Sequence, residues 1–224
     1  MIRAVVIALL LPTCALAQDE PLVRAADQDR LDAFDATAGA ALLQALAGGR
    51  LGDVDLLQEV LSGIALAPLA TSLPGEWACR TLKLGGDSGA LVAYAPFDCT
   101  ITADGASFVI EKASGSQRLS GRISLIDGQM ILTGTGYVAD TPPVPYADLP
   151  AENTSDGTLW PVVGIVTQPE PDRIRILMPK PVLESDLDIL DLRRKPAPEA
   201  AEEVAASEEE EVDAALMPDD APVE

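Results

Sequence analysis

Four short glycine-containing turns divide the middle of the chain, and they constrain its fold more than any other feature of the sequence. They lie at residues 85–89, 104–105, 114–115 and 127–128, and the first reads GGDSG. The segments between them are rich in Val, Ile, Leu, Thr and Phe, and apolar residues alternate on both sides of the last turn in RISLIDGQMIL. Asp-Gly and Ser-Gly pairs between such segments are typical of β-hairpins, because the turn needs positive φ at its centre. The pattern therefore predicts five antiparallel strands in a meander.

Three further strand-like segments follow a long connection at residues 139–157, which is rich in Pro, Asp and Asn. They read LWPVVGIVTQ, DRIRILMP and SDLDILDL. In the second of them Arg173 and Arg175 alternate with apolar residues, which predicts a sheet with one solvent-exposed face. The total is about eight strands within residues 75–193. We therefore expect a mainly β protein with N-terminal helices and an eight-stranded antiparallel meander, arranged as a barrel or a barrel-like sheet.

The first predicted strand opens with Gly75-Glu76-Trp77, and the last is followed by Arg193-Arg194. A closed eight-stranded barrel has no exposed edges, and its interior can hold side chains or one small ligand. The combination resembles the lipocalin-type arrangement, in which a Gly-x-Trp tryptophan closes the base of the barrel and a late arginine packs over it. By this resemblance Trp77 and Arg193 pack at the base, in a cation–π contact of about 0.5–2 kcal/mol. The alternative is an ordinary core tryptophan on an open sheet or sandwich.

Helical patterns precede the predicted strands. Apolar residues recur at three- and four-residue steps up to residues 48–49, two glycines that predict the end of one long helix. A second helix is predicted over residues 54–62, with Asp53 as N-cap and Gly63 as C-cap. Both segments are rich in alanine and only moderately amphipathic, so we expect them to pack against another part of the protein.

The first seventeen residues, MIRAVVIALLLPTCALA, have the features of an export signal. Arg3 provides the positive charge, a short apolar run follows, and Ala15-Leu16-Ala17 matches the A-x-A cleavage pattern. Because the apolar run is shorter than the roughly 18–20 residues that span a bilayer, we expect cleavage after Ala17 and a periplasmic or secreted protein. The alternative is a lipoprotein signal in which Cys14 is lipidated. We expect no transmembrane segment after the signal is removed.

Two cysteines, Cys79 and Cys99, remain after the predicted cleavage. In an oxidising compartment an even pair of this kind predicts a disulfide, which would stabilise the fold by about 3 kcal/mol. The alternative is a pair of free buried thiols. Trp77 and Cys79 lie two residues apart and should share one face of the first strand, and we expect a bulge at Pro96 to bring Cys99 opposite Cys79.

The chain carries 36 acidic and 15 basic residues, a formal net charge of −21, and much of the excess lies near its end. Residues 196–224 contain eleven acidic residues and no basic one. We expect a disordered acidic tail there, because such a composition cannot bury enough apolar area to offset the entropy of ordering. This charge should repel nucleic acid. The predicted organisation is a signal at residues 1–17, a helical segment at 18–70, a barrel domain at 71–195 and the tail.

The sequence contains no histidine, which excludes Ser-His-Asp and Cys-His catalysis and the usual zinc sites. A glycosidase-like pair needs two carboxyl groups across a groove, normally with aromatic side chains. Asp186 and Asp188 have suitable spacing, but aromatic residues make up only 4% of the chain, so we interpret them as a solvent-exposed strand face. We interpret Arg118, beside a hairpin turn, as an exposed arginine and not as an anion site. We predict no catalytic residue, no cofactor and no metal.

The order of several sequence blocks resembles that of one known family. The blocks are CRTLKLGG, YAPFDCTI, SGSQRLSGRI and PVVGIVTQPEPDRIRILMPKPVLESDLDILDL. They are similar to the exported bacterial family catalogued as domain of unknown function 4893, over roughly residues 24–193. The resemblance implies a Gram-negative envelope location and the paired cysteines, and it implies no reaction.

Together these observations predict a non-enzymatic binding or interaction module of the cell envelope, which recognises a small apolar ligand or an unknown protein partner. One alternative is a periplasmic inhibitor of a protease or of lysozyme, and a carboxylate-dependent hydrolase is another. An open apolar barrel mouth without convergent carboxylates would favour binding, whereas two close carboxyl groups in a cleft would favour the hydrolase. The sequence predicts no particular oligomeric state.

Overall fold

The structure, a computed structural model, describes residues 22–196. Three helices precede the strands in this part of the chain: α1 (Ala25–Asp32), α2 (Phe34–Gly48) and α3 (Leu51–Leu61). The predicted export signal, Cys14 and nearly all of the predicted acidic tail lie outside the described residues, so these predictions stay predictions.

Nine strands follow the helices within residues 22–196, and all of them belong to one antiparallel sheet. Their order in the sheet is β2-β1-β3-β4-β5-β6-β7-β8-β9, and β1 also pairs with β9. The strands are β1 (Gly75–Leu84), β2 (Leu91–Ala93), β3 (Phe97–Asp104), β4 (Ser107–Lys112), β5 (Gln117–Ile126), β6 (Gln129–Val138), β7 (Leu159–Glu170), β8 (Arg173–Pro179) and β9 (Leu187–Arg194).

The pairing of β1 with β9 closes the sheet into a barrel. Residues 77–84 of β1 pair with residues 187–194 of β9, over nearly the whole length of both strands. On its other side, β1 pairs with β3 near its start and with β2 near its end. The barrel therefore consists of eight strands, β1 and β3 to β9, and β2 is one additional short strand. The predicted fold class, a mainly β protein with an eight-stranded antiparallel barrel, is confirmed.

Two of the glycine turns show why the sequence needs glycine there. Between β5 and β6, Asp127 (φ 48°) and Gly128 (φ 82°) both have positive φ, as a two-residue hairpin turn requires. Gly86 in the first turn has a φ of 66°, and an added Cβ there would lie 2.6 Å from the backbone oxygen of Glu184. The first turn also differs from the prediction, because it leads into the short strand β2 before the next long strand begins.

Alternate residues of the barrel strands fill its interior with apolar side chains. Successive side chains of a strand point to opposite faces, so Trp77 and Cys79 of β1 face the interior together. The buried members of this interior core are Leu73, Trp77, Cys79, Cys99, Ile101, Phe108, Ile110, Leu119, Ile123, Leu132, Trp160, Val162, Val166, Ile174, Ile176, Met178, Leu190 and Leu192. The barrel is therefore packed with side chains over most of its length, and it is not an open channel.

The long helix predicted near the N-terminus is divided into α1 and α2 at Ala33. Close to the break, the Arg30 guanidinium of α1 donates hydrogen bonds to the backbone oxygens of Pro161 (3.2 Å) and Pro179 (3.1 Å). These contacts hold α1 against β7 and β8. No glycine or proline marks the break in the sequence, so local signals could not predict it.

The last helix, α3, begins earlier than predicted. Its N-cap is Arg50, and Asp53 lies in its first turn, where the carboxylate accepts a hydrogen bond from Arg50 Nε at 3.2 Å. Acidic residues are favourable both as N-caps and in the first turn, so the same residue can indicate either position. At the other end Ser62 is the C-cap, and Gly63 follows it with a φ of 84°.

A second core lies on the outer face of the barrel, where α2 and α3 pack against β1, β2 and β9. Its buried members are Ala38, Ala41, Ala45, Leu57, Val60, Leu82, Leu84, Leu91, Leu187 and Ile189. Small alanine side chains on α2 allow the helix to approach the strands closely. The helices therefore pack on the barrel, as their alanine-rich composition predicts.

The prediction of a solvent-exposed outer face is wrong at β8. Arg173 and Arg175 alternate with interior residues as predicted, but they are only 2% and 3% exposed. Arg175 Nη1 donates to the backbone oxygens of Val60 (3.2 Å), Leu61 (2.6 Å) and Ser62 (3.2 Å). The last carbonyl groups of a helix lack partners within the helix, and a positive charge is favourable beside them. The end of α3 therefore covers this part of the sheet and supplies the acceptors for its arginines.

The connection at residues 139–157 is anchored to α1. The Tyr146 hydroxyl donates to Asp27 at 2.5 Å, and burial raises the pKa of Tyr146. The Asp27 carboxylate is fully buried and also contacts Arg24 (2.9 Å) and Arg30 (2.8 Å). Hydrogen bonds and ion pairs in a buried polar network hold its members in place. The connection therefore lies fixed along the outer wall of the barrel.

Candidate functional site

One end of the barrel, which we call the base, is sealed around Trp77. This side chain is fully buried, and its Nε1 donates to the backbone oxygen of Leu73 at 3.1 Å. The Arg194 guanidinium lies 4.1 Å from the centre of the indole ring. It also donates to the backbone oxygens of Pro74 (3.1 Å) and Ser72. The tryptophan, the arginine and the chain that precedes β1 together close this end.

The structure places Arg194 on Trp77, and not Arg193 as predicted. Arg194 is the register partner of Trp77 and shares its interior face. Arg193 lies outside the barrel, where its guanidinium contacts the carboxylates of Asp191 (3.1 Å) and Glu59 (2.9 Å). Neighbouring residues of a strand face opposite sides, so an error of one position exchanges an interior residue for an exterior one.

A disulfide joins Cys79 of β1 to Cys99 of β3, close to the base, with 5.9 Å between the Cα atoms. The register pairs Cys79 with Phe97 and Trp77 with Cys99, so the bridge runs diagonally between neighbouring strands. The expected bulge at Pro96 is absent, because this residue lies in the gap between β2 and β3. The predicted disulfide is confirmed, and it fastens two strands beside the buried tryptophan.

The opposite end of the barrel, which we call the mouth, contains a cavity of about 290 Å³. Apolar side chains of the interior core contribute to its walls, and charged and polar groups join them there. The lining residues are Thr81, Lys83, Tyr94, Phe97, Lys112, Ser116, Gln117, Arg118, Leu119, Trp160, Val162, Met178, Glu184, Asp188 and Leu190. The mouth is therefore a pocket with an apolar part and a charged part.

Lys83 and Asp188 lie side by side in the mouth. They are register partners on β1 and β9. Lys83 lies an even number of residues after Trp77, and Asp188 lies an even number of residues before Arg194, so both side chains face the interior of the barrel. Lys83 is 3% exposed, and its Nζ lies 2.7 Å from a carboxylate oxygen of Glu184. Asp188 accepts a hydrogen bond from Ser185 Oγ at 2.5 Å, and burial raises the pKa of Asp188 to about 6. One wall of the cavity thus holds a buried cation beside a carboxyl group that resists ionisation.

The interpretation of Asp186 and Asp188 as one solvent-exposed strand face is wrong. Asp186 precedes β9, and its carboxylate accepts hydrogen bonds from the backbone N–H of Gly86 (3.1 Å) and from Gln44 Nε2 (3.1 Å). Asp188 lies within β9 and lines the cavity. The first carboxylate fixes the turn after β1 to α2, whereas the second belongs to the mouth, so they do not act as a pair.

Glu184 comes from the mouth loop, residues 180–186, which joins β8 to β9. Its φ is 69°, a conformation that residues other than glycine rarely adopt, and its backbone oxygen accepts a hydrogen bond from Ser88 N at 2.8 Å. The carboxylate contacts Lys83 on β1 and, at 3.4 Å, Gln117 Nε2 on β5. The hydrogen bond from Lys83 lowers the pKa of Glu184. A single loop side chain therefore reaches across the mouth and joins two walls.

Lys112 contributes a second buried ammonium group to the mouth. It is 7% exposed, and its Nζ donates to the backbone oxygens of Ser114 (2.9 Å) and Gln117 (2.5 Å). The same atom lies 4.5 Å from the centre of the Phe97 ring. Burial, with a smaller effect from Arg118, lowers the pKa of Lys112 to about 8. Within residues 22–196 this ammonium group forms no ion pair with a carboxylate.

Trp160 brings a large aromatic surface into the mouth. It lies opposite Gly136 in the pairing of β6 with β7, and a Cβ at Gly136 would overlap the indole ring. Glycine is therefore required for the ring to lie flat against this wall. Tyr94 and Phe97 line the same cavity, so three aromatic residues meet there although such residues make up only 4% of the chain. The chain has few aromatic residues, but three of them line this one cavity.

A second cavity, of about 420 Å³, lies outside the barrel between β4 to β6 and the connection that follows β6. Val109, Arg122 and Val144 are among its lining residues. Its arginine is 46% exposed and forms a surface ion pair with Asp104 at 2.6 Å. Such pairs contribute little because water already solvates them. Buried charged groups converge in the mouth and not in this larger groove, so the mouth is the candidate site.

A family profile described as Domain of unknown function (DUF4893) matches residues 20–192. The chain belongs to this family. The match spans the three helices and the barrel as far as β9, which confirms the family resemblance seen in the sequence, and the closed barrel is consistent with a lipocalin-like arrangement. The family description names no activity. A search of the curated proteins found no match.

The described part of the chain contains neither a metal-binding cluster of side chains nor a membrane-spanning helix. Across residues 22–196, His, Cys, Asp and Glu side chains nowhere gather in a group of three that could hold a metal ion. None of the helices described above combines the length and the apolar character that crossing a bilayer requires.

Sequence reasoning did not single out Lys83, Lys112 or Glu184. A signal existed for the two lysines, because Lys83 lies an even number of residues after Trp77 and Lys112 lies two residues after the interior Ile110. The period of two that places the apolar residues inside also places these lysines inside. Glu184 belongs to a loop, and no periodic pattern gives the direction of a loop side chain.

Proposed function

We propose that the protein is a non-enzymatic binding module, which takes a small apolar or amphipathic molecule into the mouth of its barrel. The observation that carries this proposal is the cavity of about 290 Å³ at the end opposite the sealed base. Ligand sites typically have volumes of roughly 300–1,000 Å³, with mostly apolar walls and a few polar groups that fix orientation. The mouth lies just below this range, so its ligand should be small.

The lining of the mouth supports an amphipathic ligand. Its apolar part consists of Leu119, Trp160, Val162, Met178 and Leu190. Covering this surface with an apolar chain would contribute about 25 cal/mol for each Å² removed from water. The lysine and carboxyl groups would then meet the polar end of the ligand. A recessed pocket of this size suits a small molecule better than a protein partner, because a protein interface covers about 800 Å² on each side.

We place this binding role in the cell envelope. The predicted export signal supports this location, and so does the Cys79–Cys99 disulfide, because disulfides persist in oxidising compartments. Fractionation of cells that express the full chain tests it. The expected result is a periplasmic or secreted protein whose mature form begins after Ala17, and recovery of the uncleaved chain from the cytosol would contradict it.

Calorimetric titration with octanol tests the binding site. Val162→Phe should fill the apolar part of the mouth, whereas Val109→Phe places the same ring in the outer groove and serves as the matched control. We expect saturable binding to the wild type and to Val109→Phe, and a loss of at least about tenfold in Val162→Phe. Thermal unfolding of each variant shows whether the fold is retained. Absence of saturable binding to the wild type, or a loss confined to Val109→Phe, would contradict the proposal.

A carboxylate-dependent hydrolase is the second candidate, and one observation favours it. Glu184 and Asp188 both line the mouth, and their pKa values shift in opposite directions, as they do in acid–base pairs. We favour binding because Lys83 and Ser185 already hold these carboxyl groups. Cleavage of 4-nitrophenyl glycosides by the wild type, abolished in both Glu184→Gln and Asp188→Asn, would instead support the hydrolase.

A further inference from the structure

We infer that Lys83 and Gln117 form a carboxylate site in the mouth, that Glu184 fills this site as an internal substitute, and that the ligand is a small amphipathic monocarboxylate that displaces it. This inference rests on the proposed binding function and adds to it the chemical class of the ligand.

The geometry of the two donors defines the site. Lys83 Nζ lies 2.7 Å from one carboxylate oxygen of Glu184, and Gln117 Nε2 lies 3.4 Å from the other. The donors come from β1 and β5, two strands that are not neighbours in the barrel. Convergent donors on both oxygens give specificity for a carboxylate. Because strands hold both donors, the site would keep its shape when the loop side chain leaves.

The two partners of this ion pair differ greatly in exposure. The Lys83 side chain is 4% exposed, and the Glu184 side chain is 47% exposed. A buried ammonium group that loses its anion is left at a high cost in free energy, whereas a half-exposed carboxylate can turn into water at little cost. Replacing Glu184 by a ligand carboxylate keeps Lys83 paired. The net free energy of binding then comes mainly from the apolar part of the ligand.

The mouth loop can release the Glu184 side chain without losing its own fold. Its backbone is held by hydrogen bonds from Ser88 N to the Glu184 oxygen (2.8 Å) and from Lys180 N to the Asp186 oxygen (2.9 Å). None of these contacts involves the Glu184 carboxylate. The positive φ of Glu184 is a sparsely populated conformation, and such residues persist where surrounding contacts fix them and a site needs them.

The Lys83 and Gln117 donors define a place for one carboxylate. The charged side chains that line the cavity are Lys83, Lys112, Arg118, Glu184 and Asp188. When a ligand carboxylate replaces the Glu184 carboxylate, the charge around the donors stays the same, because one anion leaves as another enters. An amine in the same place would leave Lys83 without its anion. Buried charges are tolerated when they are paired, so a ligand with one carboxylate and an apolar chain fits this site.

Paired titrations with octanoate and octanol test this inference, because the two probes share an apolar chain and differ in their polar end. Glu184→Gln removes the internal competitor. Asp87→Asn is the matched control, since it removes one exposed carboxylate from the turn at the same end of the barrel. In Glu184→Gln we expect octanoate affinity to rise about three- to tenfold and octanol affinity to change less than about twofold. The control should change neither by more than about twofold.

A Lys83→Gln variant provides the opposite test. It should lose at least about tenfold in octanoate affinity and keep its octanol affinity. If this variant fails to fold, Glu184→Gln decides alone, because the altered side chain is half-exposed. Equal changes for both probes in Glu184→Gln, or weaker octanoate binding, would overturn the inference while octanol binding still supports the proposed function. Failure of both probes to bind the wild type and Glu184→Gln would overturn both.

Discussion

The burial of charged side chains inside the mouth is not explained by their contribution to the stability of the fold. Lys83, Lys112 and Asp188 occupy interior positions that apolar residues fill elsewhere in the barrel. Burying charged groups is unfavourable unless each is paired, and apolar replacements are often as stable. Each of these groups has a hydrogen-bond partner, so the fold tolerates them. Departures from an apolar interior are expected where a protein needs a site.

Asp188 should make folding stability depend on pH. Burial raises the pKa of Asp188 from 3.8 to about 6 in the folded protein, so the folded state binds its proton more tightly than the unfolded state. The stability that tighter proton binding by Asp188 gives the folded state is fully present below about pH 4. It is lost as the pH rises through about 6. Asp188→Asn stays neutral throughout. The variant should therefore nearly equal the wild type below about pH 4 and exceed it by about 3 kcal/mol at pH 7.

Urea denaturation of both proteins at several pH values measures this difference, because pH effects from groups that do not interact with Asp188 cancel in the subtraction. A difference in free energy of unfolding that stays constant with pH would show that Asp188 is not held in its protonated form by burial.

Arg194 and Arg193 should contribute unequally to stability. Arg194→Met removes the cation–π contact with Trp77 and leaves two backbone oxygens without their donor, which should cost about 2–3 kcal/mol. Arg193→Met is the matched control, because its guanidinium is 40% exposed and forms outer-surface ion pairs that contribute up to about 1 kcal/mol. Chemical denaturation measures both. Equal losses, or a larger loss in Arg193→Met, would contradict the assignment of the base.

At the scale of elements, the attachment of α3 to β8 explains why the outer face of the sheet is not exposed. Apolar contacts of α2 and α3 cover β1, β2 and β9, while the arginines of β8 bind the C-terminal carbonyl groups of α3. The strand pattern shows which residues face outward. It does not show that a helix end lies there to receive them.

Arg175→Met should loosen this attachment. The substitution keeps an apolar chain of similar length but leaves the carbonyl groups at the end of α3 without their donor, so we expect a loss of about 2–4 kcal/mol in the free energy of unfolding. Arg122→Met removes an exposed arginine from the barrel wall and should cost no more than about 1 kcal/mol. Limited proteolysis should cut near α3 in the first variant alone. Equal stability of the two variants would contradict this account.

The elements that the sequence predicts correctly are those that depend on local chemistry. Asp127-Gly128 specifies a tight hairpin by itself, and alternation specifies which residues of β1 face inward. The elements that it misses depend on distant contacts. The position of α1 depends on hydrogen bonds that Arg30 donates to β7 and β8, and β2 pairs with the part of β1 that continues past the start of β3.

For the whole molecule, the central feature is the difference between the two ends of the barrel. The Gly75-x-Trp77 pattern and the cysteine pair predict the sealed base, apart from the exchange of Arg193 for Arg194. The charged and polar lining of the mouth was not predicted, because these groups come from β1, β4, β5, the mouth loop and β9, and only closure of the barrel brings them together. The inhibitor role, the domain boundaries and the absence of catalysis stay predictions.

The most direct test of the central claim follows the two tryptophan indole N–H signals by NMR during a titration with octanol. The sequence contains two tryptophans, one in the mouth and one at the base, and a Trp160→Phe variant assigns them. We predict that the Trp160 signal moves saturably while the Trp77 signal, held by its hydrogen bond to Leu73, stays in place. A titration that moves neither signal, or that moves Trp77 as much as Trp160, would contradict a binding site in the mouth.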